Sequence, residues 1–333
     1  MLTVICPSCG EEAPDGAKWC EACGQDLNAE PAPACVNCGE REVGAEGYCL
    51  SCGHKQPEER DHQTFGDRSV VAVTDRGRRH RHNEDAVAIA QTTGGSAVLV
   101  VCDGVSTTAG SAEASLRAAA AARDLLVAGI EAGEGADVDA PPDLSQLLTR
   151  ATEAAQTEAA ASVGDPTDDD ADGPVSVMAD RAHRHDDGGP PSSTFVAVVA
   201  TPTEDGVELS TAWVGDSRAY WVGEDPQRLT PVDHELGGSL IRWLGADSID
   251  PTPDIGSTRV TGQGWVVVCS DGLWRYAAEV GELAEVVRRL SEDGASGTAL
   301  AAALVDHANE AGGHDNITVA LWSNRSDWAT ETS

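Results

Sequence analysis

The chain has 333 residues, of which 22 are Lys or Arg and 56 are Asp or Glu, so its formal net charge is −34. This balance argues against a general DNA- or RNA-binding surface, because binding to a phosphate backbone requires clustered basic side chains. It argues equally against docking on anionic lipid. Apolar residues make up 41% of the chain, which is typical of a globular protein, and the length suggests about two domains at roughly 150 residues each.

The sequence shows no sign of a membrane segment. No apolar stretch approaches the roughly 20 residues that a membrane-spanning helix requires. The first residues, MLTVICPSC, contain neither the basic segment nor the apolar stretch of a secretory signal. We therefore expect a cytoplasmic protein with no membrane partner.

Eight of the ten cysteines lie before residue 53, in four Cys-x-x-Cys-Gly pairs, and the second two pairs repeat the first two at an offset of 29 residues. Two such pairs supply four thiolates at the tetrahedral geometry that Zn²⁺ prefers. A segment of about 20 residues cannot bury enough apolar surface to fold alone, so the metal would supply the folding free energy. Disulfides or a redox pair are the weaker alternative without a secretion signal. The expected ligands of two structural Zn²⁺ ions are Cys6, Cys9, Cys20 and Cys23, then Cys35, Cys38, Cys49 and Cys52.

These pairs resemble the double zinc ribbons of many prokaryotic regulatory proteins, with ribbons expected at residues 1–28 and 34–54. An all-cysteine ligand set leaves no open coordination position, so catalysis at these ions is not expected. Few basic residues occur here, which favours docking to an unidentified protein over contact with nucleic acid. Trp19 and Tyr48 each precede a third ligand, and we expect them to cap the two small cores.

The rest of the chain predicts a linker at 55–64, one larger domain at 65–323 and a tail at 324–333. Within that domain, an acidic segment without periodicity at 164–191 predicts a mobile loop. Strand signals are followed by two helices, more strands, two further helices and a final strand. Because regular β-α alternation is missing, this order predicts an α+β fold with helices outside a packed pair of sheets.

Four short motifs combine acidic residues with strand ends. Converging carboxylates would form a hard oxygen cage suited to Mg²⁺ or Mn²⁺. Two such ions roughly 3.5–4 Å apart can activate a water for attack on phosphorus. Read by spacing alone, the Asp-Gly pairs fit ordinary turns equally well. The motifs are Asn83-Glu84-Asp85, Cys102-Asp103-Gly104, Ser270-Asp271-Gly272 and His314-Asp315-Asn316.

Seven segments in order carry a family resemblance: GRRHRHNEDA, VVCDG, SSTFVAVV, WVGDSRAY, LTPVDH, VVVCSDGLW and GGHDNITVALW. Together they resemble the metal-dependent serine/threonine protein phosphatases of type 2C, from about Phe65 to Ser323. The resemblance implies a β-sandwich of two antiparallel sheets flanked by helices, with two Mn²⁺ or Mg²⁺ ions at one edge. It also implies hydrolysis of phosphoserine and phosphothreonine in proteins, in opposition to a serine/threonine kinase.

The resemblance assigns the metal ligands. Asp103 would bridge both metals, and the Gly104 carbonyl would bind one of them. Asp271 and Asp315 would bind the other metal. The nucleophile would be a water activated at the metals, with no phospho-enzyme.

Neighbouring residues receive supporting roles from the same resemblance. Glu84 and Asp85 would act mostly through metal-bound waters, and Asn316 would steady Asp315. In the GDSR segment, Asp216 and Arg218 are expected to form a buried structural pair.

Two departures from the family pattern bear on activity. The family usually has an Arg three residues before the Asn of the first motif, where this chain has His80. We expect Arg79 or Arg81 to bind the substrate phosphate instead, since a guanidinium fork fits phosphate. Ser106-Thr107 replaces the usual Gly-Gly. These changes support a second hypothesis, a weak or inactive phosphatase-like scaffold that binds phosphoprotein and docks through its ribbons, whereas the complete ligand set favours an enzyme.

Several other side chains are expected in the core. A thiol nucleophile at Cys102 or Cys269 is the weaker interpretation, because a small buried residue is more usual at a strand end. The tryptophans on strand signals are likewise expected to pack in the core: Trp213, Trp221, Trp265 and Trp322.

Overall fold

The computed structural model describes residues 3–6, 9–14, 16–24, 27, 34–44, 47–67, 69–105, 110–134, 142–162, 189–236 and 239–325. The chain divides into two compact units, Met1–Glu58 and Glu59–Ser333. Residues 164–188 of the predicted acidic loop, Ser106-Thr107 and most of the predicted tail lie outside the described residues.

The first unit contains little regular structure. Strands β1 (Thr3–Ile5) and β2 (Glu12–Pro14) form a two-stranded antiparallel ribbon. In the second half, isolated bridges join Val43 to Cys49 and Tyr48 to Lys55. The strands and turns hold the Cys-x-x-Cys pairs.

The second unit begins with four strands and two long helices. They are β3 (His62–Asp67), β4 (Val70–Asp75), β5 (Ala86–Gln91), β6 (Ala97–Cys102), α1 (Ser111–Glu134) and α2 (Leu144–Ala161).

Eleven strands and three helices follow. The strands up to residue 245 are β7 (Ser192–Ser193), β8 (Phe195–Thr203), β9 (Gly206–Val214), β10 (Arg218–Val222), β11 (Gln227–Arg228), β12 (Glu235–Leu236), β13 (Ser239–Leu240) and β14 (Leu244–Gly245). The remaining elements are β15 (Asp254–Val260), β16 (Trp265–Cys269), α3 (Asp271–Trp274), α4 (Val280–Glu292), α5 (Gly297–Ala311) and, as the last described strand, β17 (Ile317–Ser323).

Two antiparallel sheets form the body of this unit. One has six strands in the order β11-β10-β16-β17-β4-β3, and the other has five in the order β15-β9-β8-β6-β5. Helices α1 and α2 share a core with the outer face of the five-stranded sheet. Helices α4 and α5 do so with the six-stranded sheet. The expected sandwich of two antiparallel sheets flanked by helices is therefore confirmed.

The fully buried strands explain why the sequence shows continuous apolar runs instead of alternation. In β6, Leu99 and Val101 pack between the sheets, whereas Val98 and Val100 pack against α1 and α2. Successive side chains of a strand point to opposite faces, so a strand covered on both faces needs apolar residues at every position. The cores of the sandwich thereby fix β6 in one register.

The tryptophans and cysteines expected in the core are found there. Trp213, Trp221, Trp265 and Trp322 are all buried, as are Cys102 and Cys269. Burial raises the pKa of both thiols, which disfavours the thiolate that a nucleophile needs.

Some elements differ from the prediction or were not predicted. Strand β3 begins at His62, inside the segment predicted as a linker. Strand β15 was not predicted, because its sequence DIGSTRV is polar and half-exposed at the edge of the sheet. No helix in the described ranges combines the length and apolar character needed to cross a membrane.

Candidate metal centres

The eight N-terminal cysteines form two clusters. Within each cluster the four sulfur atoms lie within 4.8 Å of one another. The Sγ atoms of Cys6 and Cys23 are 3.6 Å apart, and those of Cys38 and Cys49 are 3.5 Å apart. Four thiolates about 2.3 Å from a tetrahedral Zn²⁺ have such spacings between sulfur atoms, so both sites fit zinc.

The glycine after each pair closes the turn that presents the thiolates. Gly10 and Gly39 have φ angles of 76° and 79°, a conformation that favours glycine. Their N–H groups donate to the carbonyl oxygens of Cys6 and Cys35. The same turn therefore recurs in both ribbons.

The aromatic residues of the ribbons do not have the expected role. Trp19 is 52% exposed and Tyr48 is 41% exposed, so the prediction that they cap the small cores was wrong. Among the described residues of this unit, the buried ones are the cysteines Cys6, Cys20, Cys35 and Cys49, together with Ala13. The metal ligands take up the interior that an aromatic cap would fill.

In the second unit, the acidic motifs meet at one end of the sandwich. Asp103 directly follows β6, and Asp271 follows Ser270 at the end of β16. Asp85 directly precedes β5, which pairs with β6 so that Ala86 lies opposite Cys102. Asp315 lies two residues before β17, which is antiparallel to β16. In each antiparallel pair, one strand begins where its partner ends. The residues before β5 and β17 therefore lie at the same edge as those after β6 and β16, and all four carboxylates meet there.

The Asp103-Gly104 turn leaves a carbonyl oxygen for a ligand role. The carbonyl of Asp103 accepts from Thr194 N (2.8 Å), and Val105 N donates to Ser192 (3.0 Å). These two bonds make the Gly104–Ser193 bridge, and the carbonyl of Gly104 takes no part in them. A Cβ atom on Gly104 would lie 2.6 Å from the Glu84 carbonyl oxygen, so the close approach of Glu84 requires glycine.

Two buried carboxylate oxygens at this edge lack hydrogen-bond partners among the described residues. Asp271 Oδ2 accepts from Arg275 Nε (2.7 Å), and Asp85 Oδ2 accepts from Ser270 Oγ (2.7 Å). The other oxygen of each carboxylate, Oδ1, is buried with no hydrogen-bond partner among the described residues. Buried orphan oxygens of this kind suit a divalent cation or its water. The oxygen donor set therefore fits Mn²⁺ or Mg²⁺.

Asn316 joins the first and last motifs. Its backbone N–H donates to Asp315 Oδ1 (2.9 Å), which agrees with a steadying role. Its side-chain amide donates to the carbonyls of Arg76 (2.8 Å) and His82 (3.0 Å), and its Oδ1 accepts from Glu84 N (2.8 Å). The side chain therefore holds the first motif against β17, a function that the sequence did not reveal.

The carboxylates strongly perturb one another. Burial, followed by the charges of Asp85 and Asp271, raises the pKa of Asp103 well above its usual range. Burial and the Asp315 charge likewise raise the pKa of Asp271, although Arg275 opposes the shift. Burial raises the pKa of Asp85 to about 7 against the hydrogen bonds from Ser270 and Thr318. The cluster thus favours added positive charge.

The GDSR segment does not form the expected pair. The Arg218 guanidinium donates to both carboxylate oxygens of Asp233, from Nε (3.2 Å) and NH2 (2.8 Å), and covers the Trp274 ring. Asp216 is buried beside the cluster instead, with Arg275 NH2 at 4.0 Å. Burial and then the charge of Asp271 raise the pKa of Asp216 to about 7. The prediction of an Asp216–Arg218 pair was wrong, because the partner of Arg218 comes from the distant LTPVDH segment.

The basic residues of the first motif lie on the loop that Asn316 holds. Arg79 and Arg81, the predicted phosphate ligands, have exposed side chains. His80, between them, contacts the cluster through an Nε2–Asp315 Oδ1 distance of 3.1 Å. Sequence reasoning named Ser270 only as part of the Ser270-Asp271-Gly272 motif, with no role of its own, and it did not single out Arg275.

The raised pKa of Asp216 predicts a pH-dependent stability in protein without added Mn²⁺ or Mg²⁺. A carboxyl group whose folded-state pKa of about 7 exceeds the ordinary 3.8 binds more protons when folded, so the free energy of unfolding falls as the pH rises between these values. Asp216→Asn removes this loss. We expect the variant to be more stable than wild type by on the order of 2 kcal/mol at pH 8, with a smaller gain at pH 5. Urea unfolding followed by tryptophan fluorescence measures the difference.

The matched control is Asp225→Asn, at an exposed position. It should leave the stability unchanged at both pH values. An equal effect of Asp216→Asn at pH 5 and pH 8 would show that the carboxyl group does not titrate as described.

Comparisons with known proteins agree with this geometry. A family model described as protein phosphatase 2C matches residues 74–306, and one described as double zinc ribbon matches residues 6–57. Among curated protein sequences, none matches significantly. Solved structures do match the fold. A serine/threonine phosphatase from S. agalactiae is 21% identical with a TM-score of 0.53, covering 76% of this chain and 97% of its own. A serine/threonine phosphatase from Staphylococcus aureus is 18% identical with a TM-score of 0.55, covering 81% and 100%.

These structural similarities show the fold, and the family model covers more than half of the chain and contains the first three acidic motifs. The match to the double zinc ribbon model contains all eight clustered cysteines. The protein belongs to the protein phosphatase 2C family and carries a double zinc ribbon ahead of its phosphatase domain.

Proposed function

We propose that this protein hydrolyses phosphoserine and phosphothreonine in proteins at a site for two Mn²⁺ or Mg²⁺ ions, in opposition to a serine/threonine kinase. The observation that carries the proposal is the convergence of carboxylates at one sandwich edge, where the buried Oδ1 atoms of Asp85 and Asp271 have no hydrogen-bond partner in the part of the chain that the structure describes. Asp103, Asp271, Asp315 and the Gly104 carbonyl would hold the ions. Bound there, the ions would neutralise the carboxylates and supply an activated water for attack on phosphorus.

The residues of the chain position the components of this reaction. Ser270 fixes Asp85 through a 2.7 Å hydrogen bond to Oδ2, whereas the buried Oδ1 has no hydrogen-bond partner among the described residues. Asn316 holds the loop of the first motif through Glu84, so Glu84 and Asp85 stay beside the Asp103 turn. These contacts fix the acceptor groups before substrate arrives, which lowers the reorganisation required during reaction.

Asp271→Asn tests the proposal. An amide in place of this carboxylate removes a negative ligand, so Mn²⁺-dependent hydrolysis of a phosphothreonine peptide should fall by at least about 100-fold. The matched control is Asp306→Asn, on the exposed face of α5, which should keep wild-type kcat/KM. Phosphate release measured with and without Mn²⁺ gives both values.

Two outcomes would overturn the proposal. Turnover that persists in Asp271→Asn would place the chemistry elsewhere. No turnover by folded, Mn²⁺-loaded wild type, together with tight binding of the phosphopeptide, would favour the scaffold hypothesis.

For the ribbons, we propose a docking role for a protein partner. The four-cysteine sites leave no ligand position for catalysis. Residues 1–58 carry ten acidic and three basic residues, which disfavours nucleic acid. The exposed apolar side chains of this unit support protein contact: Val4, Ile5, Trp19, Val36, Tyr48 and Leu50.

This role predicts that catalysis on a short peptide does not need the ribbons. The double variant Cys20→Ser, Cys49→Ser should lose both zinc ions by elemental analysis, because each site loses a ligand. Since the acidic cluster belongs to a separate compact unit, kcat/KM should stay within about threefold of wild type. Ser51→Ala, a non-ligand change in the second ribbon, should retain both ions. A collapse of peptide hydrolysis in the double variant would contradict a pure docking role.

A further inference from the structure

Arg275 lies beside the carboxylate cluster, directly after α3. Its Nε donates to Asp271 Oδ2 at 2.7 Å, and its Nη2 is 4.0 Å from Asp216 Oδ2. Its guanidinium carbon is 5.3 Å from the centre of the Trp274 ring. The carboxylate of Asp271 on α3, that of Asp216 in the turn between β9 and β10, and an aromatic ring therefore surround this guanidinium.

One edge of this guanidinium is open. The Arg275 side chain is 50% exposed, whereas that of Asp271 is 10% exposed. Arg275 Nε donates a hydrogen bond to Asp271, and Arg275 Nη1 has no hydrogen-bond partner within the part of the chain that the structure describes. A guanidinium presents its N–H groups as a planar fork, and a fork with free N–H groups binds phosphate oxygens by charge-assisted hydrogen bonds.

Three other arginines near the site hold the fold. Arg218 is nearly buried, and its guanidinium binds Asp233 and the Ala278 carbonyl. Arg60 donates to the Asn83 carbonyl at 2.8 Å. Arg76 is 3.2 Å from Asp61. In contrast, Arg275 combines a direct bond to a proposed metal ligand with exposed donors.

We propose, on the basis of the function proposed above, that Arg275 binds the phosphoryl group of the substrate through its terminal nitrogens while its Nε orients Asp271. The ligand class is a phosphate monoester dianion or its product, inorganic phosphate. Arg275 forms and breaks no covalent bond in this role. Its contact would add to the one expected from Arg79 or Arg81, whose side chains are exposed on the loop of the first motif.

Binding of inorganic phosphate to full-length, Mn²⁺-saturated protein tests the assignment by isothermal titration calorimetry. Arg275→Gln should weaken phosphate binding by at least about tenfold, because a neutral amide cannot replace a charged fork. Arg275→Lys should fall between Gln and wild type, since it keeps the charge without the fork. Circular dichroism and Mn²⁺ titration of each variant establish folding and the Mn²⁺ concentration for saturation.

The matched control is Arg288→Gln on α4. Arg288 is 54% exposed and binds Glu285 and Glu292, away from the cluster. Its loss should leave phosphate binding unchanged. Equal phosphate affinity in wild type and Arg275→Gln, or no phosphate binding by wild type, would overturn the inference.

Kinetics on the phosphothreonine peptide separate this inference from the proposed function. If both hold, Arg275→Gln raises KM and the inhibition constant of phosphate together. If wild type shows no turnover but binds phosphate through Arg275, the proposed function fails and the inference stands. If wild type is active and Arg275→Gln keeps its KM and phosphate affinity, the inference fails and the proposed function stands. A role limited to orienting Asp271 would lower kcat and Mn²⁺ affinity and leave phosphate affinity at saturating Mn²⁺ unchanged.

Discussion

The crowding of carboxylates at one edge of the sandwich is the constraint on which the rest of this site depends. Asp85, Asp103 and Asp271 each have a pKa raised chiefly by burial, and each is further raised by its acidic neighbours. Buried carboxylates without a counter-charge cost several kcal/mol each, even after the protein relaxes. Protonation or bound cations would remove this cost, and Arg275 already offsets part of it at Asp271. Positive charge at this edge, from two divalent ions and from the Arg275 guanidinium, would therefore stabilise the ionised carboxylates.

The surrounding structure keeps these groups close despite their repulsion. Ser270 connects Asp85 to β16 and β17, because its hydroxyl donates to Asp85 and accepts from Thr318 N. Asn316 uses all three of its side-chain bonds on the loop of the first motif. The Ser270 hydroxyl and the Asn316 amide are neutral, so they hold the carboxylates in place without changing the net charge of the cluster. The ribbons follow the opposite principle, since there the metal itself supplies the interior that the short segment lacks.

The sequence predicted the buried strands well, but it did not predict which side chains from distant loops pair with one another. Strands β6 and β16 begin and end where their apolar runs do, because a strand buried on both faces is apolar at every position. The edge strand β15 was missed because half-exposed strands need fewer apolar residues. Arg218 binding Asp233, and Arg275 binding Asp271 beside Asp216, depend on how distant loops meet. The position of Trp19 beside Cys20 did not predict its exposure, because cysteine side chains and not aromatic ones are buried in the ribbon.

We propose that this edge holds two divalent ions on the carboxylates of Asp103, Asp271 and Asp315 and on the Gly104 carbonyl. Crystals grown with Mn²⁺, with diffraction recorded near the manganese absorption edge, test it most directly. We expect two anomalous peaks roughly 3.5–4 Å apart, with Asp103 between them. Manganese peaks at other acidic surfaces, with none at this edge, would contradict the account.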